Sequence, residues 1–190
     1  MNKYPWQVGI VSKGSSSVWC GASLISNRWI LTAAHCTRGE SPSGIQALLG
    51  EHDYKSTSET TMVRMAISQI KDHPDYDHST TDIDFSLLKM KKTVDFSAYP
   101  HIRPICLPVD ASNNYNDFTA TVTGWGTLSS GGSTTNKLRE VDVKVLSNSA
   151  CKNDYNYPSS WITSQMLCAN VNGGGKDACQ GDSGKSYKIK

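Results

Sequence analysis

Near the end of this chain a serine stands between an aspartate and a glycine, in Lys176-Asp177-Ala178-Cys179-Gln180-Gly181-Asp182-Ser183-Gly184. Glycines let the backbone turn sharply and bring its N–H groups close to a ligand. A serine on such a turn presents its hydroxyl outward, where neighbouring N–H donors can face a developing oxyanion. The chemistry this suits is acyl transfer. A serine hydroxyl is a weak nucleophile alone, so it needs a base, usually histidine, and a carboxylate to orient that base. Read in isolation, residues 181–184 equally describe an ordinary turn, because turns favour this composition. The partners have to come from elsewhere in the sequence.

A base is on offer at His35, in Leu31-Thr32-Ala33-Ala34-His35-Cys36. Small residues before it, a cysteine after it and another at Cys20 suggest a side chain held on a stapled loop. A purely structural histidine is the competing reading. The carboxylate has two candidates, Asp82 and Asp84, in Thr81-Asp82-Ile83-Asp84-Phe85-Ser86-Leu87-Leu88, where acidic residues run into an apolar strand. A carboxylate entering a buried strand must be paired or hydrogen-bonded, since an isolated buried charge is costly. For either aspartate the alternative is a turn residue at the strand start. His73 and His78 lie among Asp72, Asp75 and Asp77, which invites a metal site, but Pro74 and the uniform polarity favour a solvated surface loop. Glu51 and Glu59 could flank a calcium loop, although two carboxylates fall short of the oxygen set a hard cation wants. No metal and no cofactor is assigned.

The elements that must position these residues read as short strands. Residues 6–11, 18–25, 28–32, 46–50 and 61–70 are strand-like, separated by Gly/Ser and polar turns, and within 81–90 the acidic residues run into a further apolar strand. A Pro- and Asn-rich stretch, 97–117, carries the domain boundary. Beyond it, 118–127 and 138–146 alternate as a β-hairpin, 149–155 suits one or two helical turns, 166–169 is a short strand and 172–175 a Gly-rich loop. Short strands at regular spacing point to all-β barrels or sandwiches. The division is 1–105, a connector 106–117, and 118–190.

The chain has 190 residues, 37% hydrophobic and 19% charged, with a net charge of +2. That is a globular composition able to bury a core. It has no apolar run long enough for a membrane helix and no basic block, so neither a membrane nor nucleic acid is expected as a partner. Six cysteines lie at positions 20, 36, 106, 151, 168 and 179 with no Cys-x-x-Cys pair. Disulfides in an oxidising compartment explain them better than zinc. The start, Met1-Asn2-Lys3-Tyr4-Pro5-Trp6, has no apolar stretch of a signal peptide.

Five segments in chain order, Trp29 to Cys36, Asp84 to Lys89, Gly124-Trp125-Gly126, Met166-Leu167-Cys168-Ala169 and Asp177 to Gly184, give the sequence its resemblance to the chymotrypsin/trypsin family of serine proteases. The resemblance implies an all-β fold of two antiparallel barrels with the active site in the cleft between them. It makes His35 the general base, Asp84 the orienting carboxylate and Ser183 the nucleophile, with roles inherited from the family's triad. Asp84 is preferred over Asp82 because only it has the family's spacing to Leu87-Leu88. The N–H groups of Gly181 and Ser183 take the oxyanion hole. Asp177 takes the base of the specificity pocket and favours Arg or Lys at the cleaved bond. The implied bridges are Cys20–Cys36 and Cys151–Cys168. Cys106, in Pro104-Ile105-Cys106-Leu107-Pro108, resembles the cysteine that tethers a light chain or propeptide in many members. The implied partners are protein or peptide substrates, and the implied location is extracellular.

Two departures bear on these expectations. Family members begin with an apolar Ile-Val-Gly-Gly-type segment whose freed amine pairs with the aspartate before the nucleophile, here Asp182. This chain starts at Met1. The family also continues past Gly184 into closing strands, where this sequence has Lys185-Ser186-Tyr187-Lys188-Ile189-Lys190. The expectation is an incomplete second barrel, Cys106 and Cys179 without their family partners, and a truncated chain with little or no activity. A non-catalytic protease-like binding or regulatory protein is the alternative, and a β-rich metal-binding module resting on His73 and His78 is a third reading.

Overall fold

The computed structural model describes residues 3–56, 58, 62–110, 112–127, 134–154, 158–170, 183–184 and 187–189. Its first half is a closed barrel of six strands: β1 (Gln7–Ser12), β2 (Val18–Leu24), β3 (Trp29–Thr32), β4 (Ile45–Leu49), β5 (Val63–Asp72) and β6 (Ser86–Met90), in the order β1-β2-β3-β6-β5-β4. All its pairings are antiparallel. Alternate residues point inward, and Val8, Ile10, Ala22, Leu24, Ile30, Ala47, Leu49, Leu88 and Met90 fill the interior. Among the described residues the second half forms a four-stranded sheet ordered β10-β7-β8-β9, from β7 (Thr119–Gly124), β8 (Arg139–Leu146), β9 (Cys168–Asn170) and β10 (Tyr187–Ile189). The described residues also form a four-residue helix α1 (Ala34–Thr37) in the first half, and a helix α2 (Asn148–Asp154) and a 3-10 turn (Ser159–Trp161) in the second. This is the barrel architecture of the chymotrypsin fold.

The expected hairpin forms as β7 and β8, with Thr119 opposite Lys144 and Gly124 opposite Arg139. Residues 187–189 add a strand to the free edge of β7, Tyr187 opposite Val122 and Ile189 opposite Ala120. An unpaired strand edge offers a row of N–H and C=O groups, and Ile189 packs on the cluster of Ala120, Val122, Val143 and Val145. A six-residue segment is too short for period-2 alternation to announce this.

Strand β1 is buried on both faces except at its end. One face looks into the barrel; the other meets Trp125, which is 1% exposed and packs with Val11, Val18 and Leu48. Trp125 Nε1 donates to the His52 carbonyl at 3.0 Å, and Thr123 donates to Gln7 Oε1 at 2.6 Å. The halves are therefore joined through a buried indole as well as through polar bonds. Truncating a buried aromatic costs about 3–5 kcal/mol, so Trp125→Ala is expected to lower the urea midpoint by a corresponding amount, and Trp125→Phe by less. A loss below about 1 kcal/mol for the alanine variant would mean the indole is not a shared core element.

Candidate active site

Register alone brings two of the candidate residues together. In the β3–β6 pairing Thr32 lies opposite Ser86. His35 comes three residues after Thr32, and Asp84 two residues before Ser86, so both emerge at one end of the barrel. There the Asp84 carboxylate takes two bonds from His35: the backbone N–H donates to Oδ1 at 2.8 Å, and Nδ1 lies 2.6 Å from Oδ2. Ala33, the residue before α1, offers no side-chain cap. Asp84 thus supplies, from just before the neighbouring strand β6, the acceptor that a helix start needs. The other end of α1 is pinned by Thr37, whose hydroxyl donates to Asp72 Oδ1 at 2.6 Å.

The bridge between Cys20 and Cys36 closes 16 residues of sequence and ties β2 to α1 beside His35. A loop of this size contributes about 3 kcal/mol in the chain-entropy model. A second bridge joins Cys151 of α2 to Cys168 of β9. Cys106 is a free, exposed thiol. His35, Cys20 and Cys36 have ligand-type atoms within 4.8 Å of one another, but both sulfurs are committed to the disulfide and leave no thiolate for a metal.

The electrostatics of the pair follow from its hydrogen bonds. The bond to Asp84 raises the His35 pKa above its ordinary value; burial opposes this and the carboxylate's charge adds to it. For Asp84 burial is the largest influence and pushes upward, but the side-chain and backbone bonds from His35, its charge and the Ala34 N–H outweigh it and hold the carboxyl below its ordinary value. With Asp84 ionised, the Nδ1 proton of a neutral His35 sits on the Asp84 side. Nε2 is then the basic nitrogen.

Ser183 is docked on the same end of the barrel through its backbone. Its carbonyl accepts from the Gly21 N–H at 2.7 Å, and Gly21 follows Cys20, which is bridged to the neighbour of His35. Gly184 sits at φ +77, so close that a Cβ there would lie 2.2 Å from the Gly21 oxygen and 2.4 Å from Thr32 Oγ1. Among the described contacts no hydrogen bond joins His35 to Ser183; Nε2 lies 3.7 Å from Cys36 Sγ. Asp177, Cys179, Gly181 and Asp182 lie outside the described residues, as does Glu59. Glu51 is buried, and its Oε1 accepts the His52 N–H.

The family model for trypsin matches residues 1–187. The chain belongs to the trypsin family. Among curated trypsin-family relatives, Trypsin-1 of Astacus astacus is 38% identical over 189 residues, 97% of this chain and 77% of that protein. Venom serine protease Bi-VSP of Bombus ignitus is 40% identical over 170 residues, 87% of this chain and 46% of that protein. Serine proteinase stubble of Drosophila melanogaster is 36% identical over 195 residues, 99% of this chain and 24% of that protein. The chain thus spans between a quarter and about three-quarters of these relatives' lengths. The two disulfides among the described residues are consistent with an extracellular setting.

The remaining candidates behave as surface chemistry. His73 Nδ1 accepts the Asp75 N–H, and Asp77 Oδ1 accepts from both the N–H and hydroxyl of Ser79. These are local turn bonds of the kind aspartate and serine make. Among the described residues His73, His78 and the nearby aspartates form no trio of ligand atoms within 4.8 Å. Two features have no signal in the sequence: the Gly21 N–H that holds Ser183, and a bond from the Thr163 hydroxyl to Asp82 Oδ1 at 2.5 Å. Neither residue type carries a signal for its role, since each is defined by what faces it.

Proposed function

We propose that this chain is a serine endopeptidase acting by acyl-enzyme chemistry. The observation that carries the reading is the His35–Asp84 pair, held by two bonds at 2.6 and 2.8 Å. Ser183 Oγ attacks the scissile carbonyl carbon as its proton passes to His35 Nε2. The C–N bond then breaks and that proton goes to the leaving amine. Water repeats the sequence to release the acid, and Asp84 stays ionised, orienting the ring and stabilising the imidazolium. On this reading the N–H groups of Gly181 and Ser183 receive the oxyanion. Asp177 receives the guanidinium or ammonium of an Arg or Lys side chain. Residues 1–105 carry His35 and Asp84, 106–117 connect, and 118–190 carry Ser183. Protein substrates, an extracellular setting and tethering of a light chain or propeptide through Cys106 complete the assignment.

One observation favours the rival, a protease-like binding protein without turnover: His35 Nε2 rests 3.7 Å from Cys36 Sγ and makes no bond to Ser183. Catalytic hydrogen bonds are often loose in ligand-free enzymes, which keeps the catalytic reading ahead. A fluorophosphonate probe separates the two. Nucleophilic oxygen displaces fluoride at phosphorus, so Ser183 is expected to carry the label, and Ser183→Ala and His35→Ala are expected to lose it. Label elsewhere, or retained in Ser183→Ala, would sink the assignment. Truncating one partner of a buried charge pair costs about 2–5 kcal/mol. Asp177→Ser should therefore cut kcat/KM for an arginyl substrate about 30-fold or more while sparing an uncharged one; equal loss on both would remove Asp177 from the pocket.

A further inference from the structure

The turn that presents Asp84 is strained on both sides of Asp82. Thr81 lies at φ 58 and Ile83 at φ 53, left-handed backbone for two β-branched residues, a conformation that persists only where the surroundings over-determine it. Asp82 is held from several directions. Its carbonyl accepts the Asp77 N–H at 3.1 Å, its own N–H donates to Thr80 Oγ1 at 3.4 Å, and its Oδ1 accepts the Thr163 hydroxyl at 2.5 Å. On the far side of Asp84, the Phe85 N–H closes back on the Ile83 carbonyl at 2.8 Å, and the Phe85 carbonyl accepts from His73.

The Thr163 bond reaches the Asp82 side chain from the second half of the molecule. Thr163 is itself fixed. Asn148, at the start of α2, donates through Nδ2 to the Thr163 carbonyl at 2.8 Å and to the Met166 carbonyl at 3.0 Å. A continuous chain of bonds therefore runs from α2 through Thr163 to Asp82, two residues from the carboxylate that orients His35. We propose that the Thr163–Asp82 bond is a positioning clamp, by which the second half of the molecule fixes the strained turn 81–85 and so the placing of Asp84 against His35. The proposal rests on the catalytic reading of that pair.

The clamp acts through Asp84, so its loss should alter the chemical step and leave substrate binding alone. Couplings through such networks are worth about 2- to 30-fold. Thr163→Val, which keeps the shape and deletes the hydroxyl, is expected to lower kcat about 3- to 10-fold at unchanged KM. Thr163→Ser, which restores the donor, is expected to recover it. The readout that needs no turnover is nuclear magnetic resonance of His35. In Thr163→Val the imidazole titration should move down toward the ordinary value and the downfield Nδ1 proton should weaken, with Thr163→Ser matching the parent. Asp84→Asn serves as the control. If it changes the His35 titration and Thr163→Val does not, the clamp is refuted and the catalytic pair survives. If Asp84→Asn also leaves His35 unchanged, the pair itself fails. Thermal unfolding confirms that each variant is folded at the temperature used, and Asp82→Ala supplies a second deletion from the other side of the bond.

Discussion

Asp84→Asn is expected to lower kcat on an arginyl ester by on the order of 10⁴, the magnitude known for this substitution in the family's triad, with little change in KM. The reason lies in the two bonds from His35. A carboxylate only accepts, so it fixes the proton on Nδ1 and leaves Nε2 basic. An asparagine amide can turn its NH₂ toward Nδ1, which moves the proton to Nε2 and removes the acceptor for the serine hydroxyl. The backbone bond to His35 can survive through the amide oxygen, so the fold should persist. A loss of less than about 10-fold in kcat would show that Asp84 does not orient the base.

The same substitution has a signature in pH. His35 in the folded chain is raised above its ordinary value of 6.5. Its contribution to stability is complete below that value and is lost as the pH rises through the raised folded value. Asp84 is lowered from its ordinary value of 3.8. Its contribution is complete above that value and is lost as the pH falls through the lowered folded value. Both contributions are present between the two ordinary values. The stability gap between parent and Asp84→Asn should be widest there and narrow toward alkaline pH, by a modest amount because both side chains are partly solvated. In the parent, the acid limb of kcat/KM should lie above the ordinary imidazole value, since the base must be neutral to act. A parent limb at or below the ordinary value would contradict the geometry of the pair.

What was legible in the sequence was chemistry with a local signature. Alternating apolar residues at 138–146 point to β8, and the strand-like run at 46–50 to β4, each within a few residues of the observed bounds. Between Asp82 and Asp84 the residues alone left the choice open; the resemblance to the family motif favoured Asp84, whose carboxylate takes two bonds from His35. Long-range facing was not legible. Asp82 meets a threonine 81 positions away, a pairing that no window on the sequence contains. Strand β1 is buried on both sides because Trp125 arrives from the other half of the chain. The strand at 187–189 forms because β7 has an edge to fill. The first two depend on surfaces that exist only after the halves have met, and the third on an edge that exists only once β7 has formed.

Gly184→Ala tests that dependence at the serine itself. Two costs separate there. The first is conformational, because φ +77 is left-handed and costs an L-residue about 1–2 kcal/mol. The second is collision. The new Cβ would sit 2.2 Å from the Gly21 oxygen and 2.4 Å from Thr32 Oγ1, both far inside van der Waals contact. That wall cannot yield cheaply, since the Thr32 hydroxyl already donates to the Gly21 carbonyl at 2.8 Å and Gly21 is chained to the Cys20–Cys36 bridge. The serine segment must move instead, and with it the bond from Gly21 to Ser183. A displacement of about 1 Å in a reacting group can lower rates about 100-fold, so fluorophosphonate labelling of Ser183 is expected to slow by at least that factor, with a stability loss of about 2–4 kcal/mol from strain and overpacking together. Gly39→Ala isolates the first cost. Gly39 lies at φ +81 with nothing within 4 Å of its Cβ position, so that variant should lose only the conformational part and label at the parent rate. Equal labelling by the two variants would place Ser183 away from the Gly21 wall, and with it away from His35.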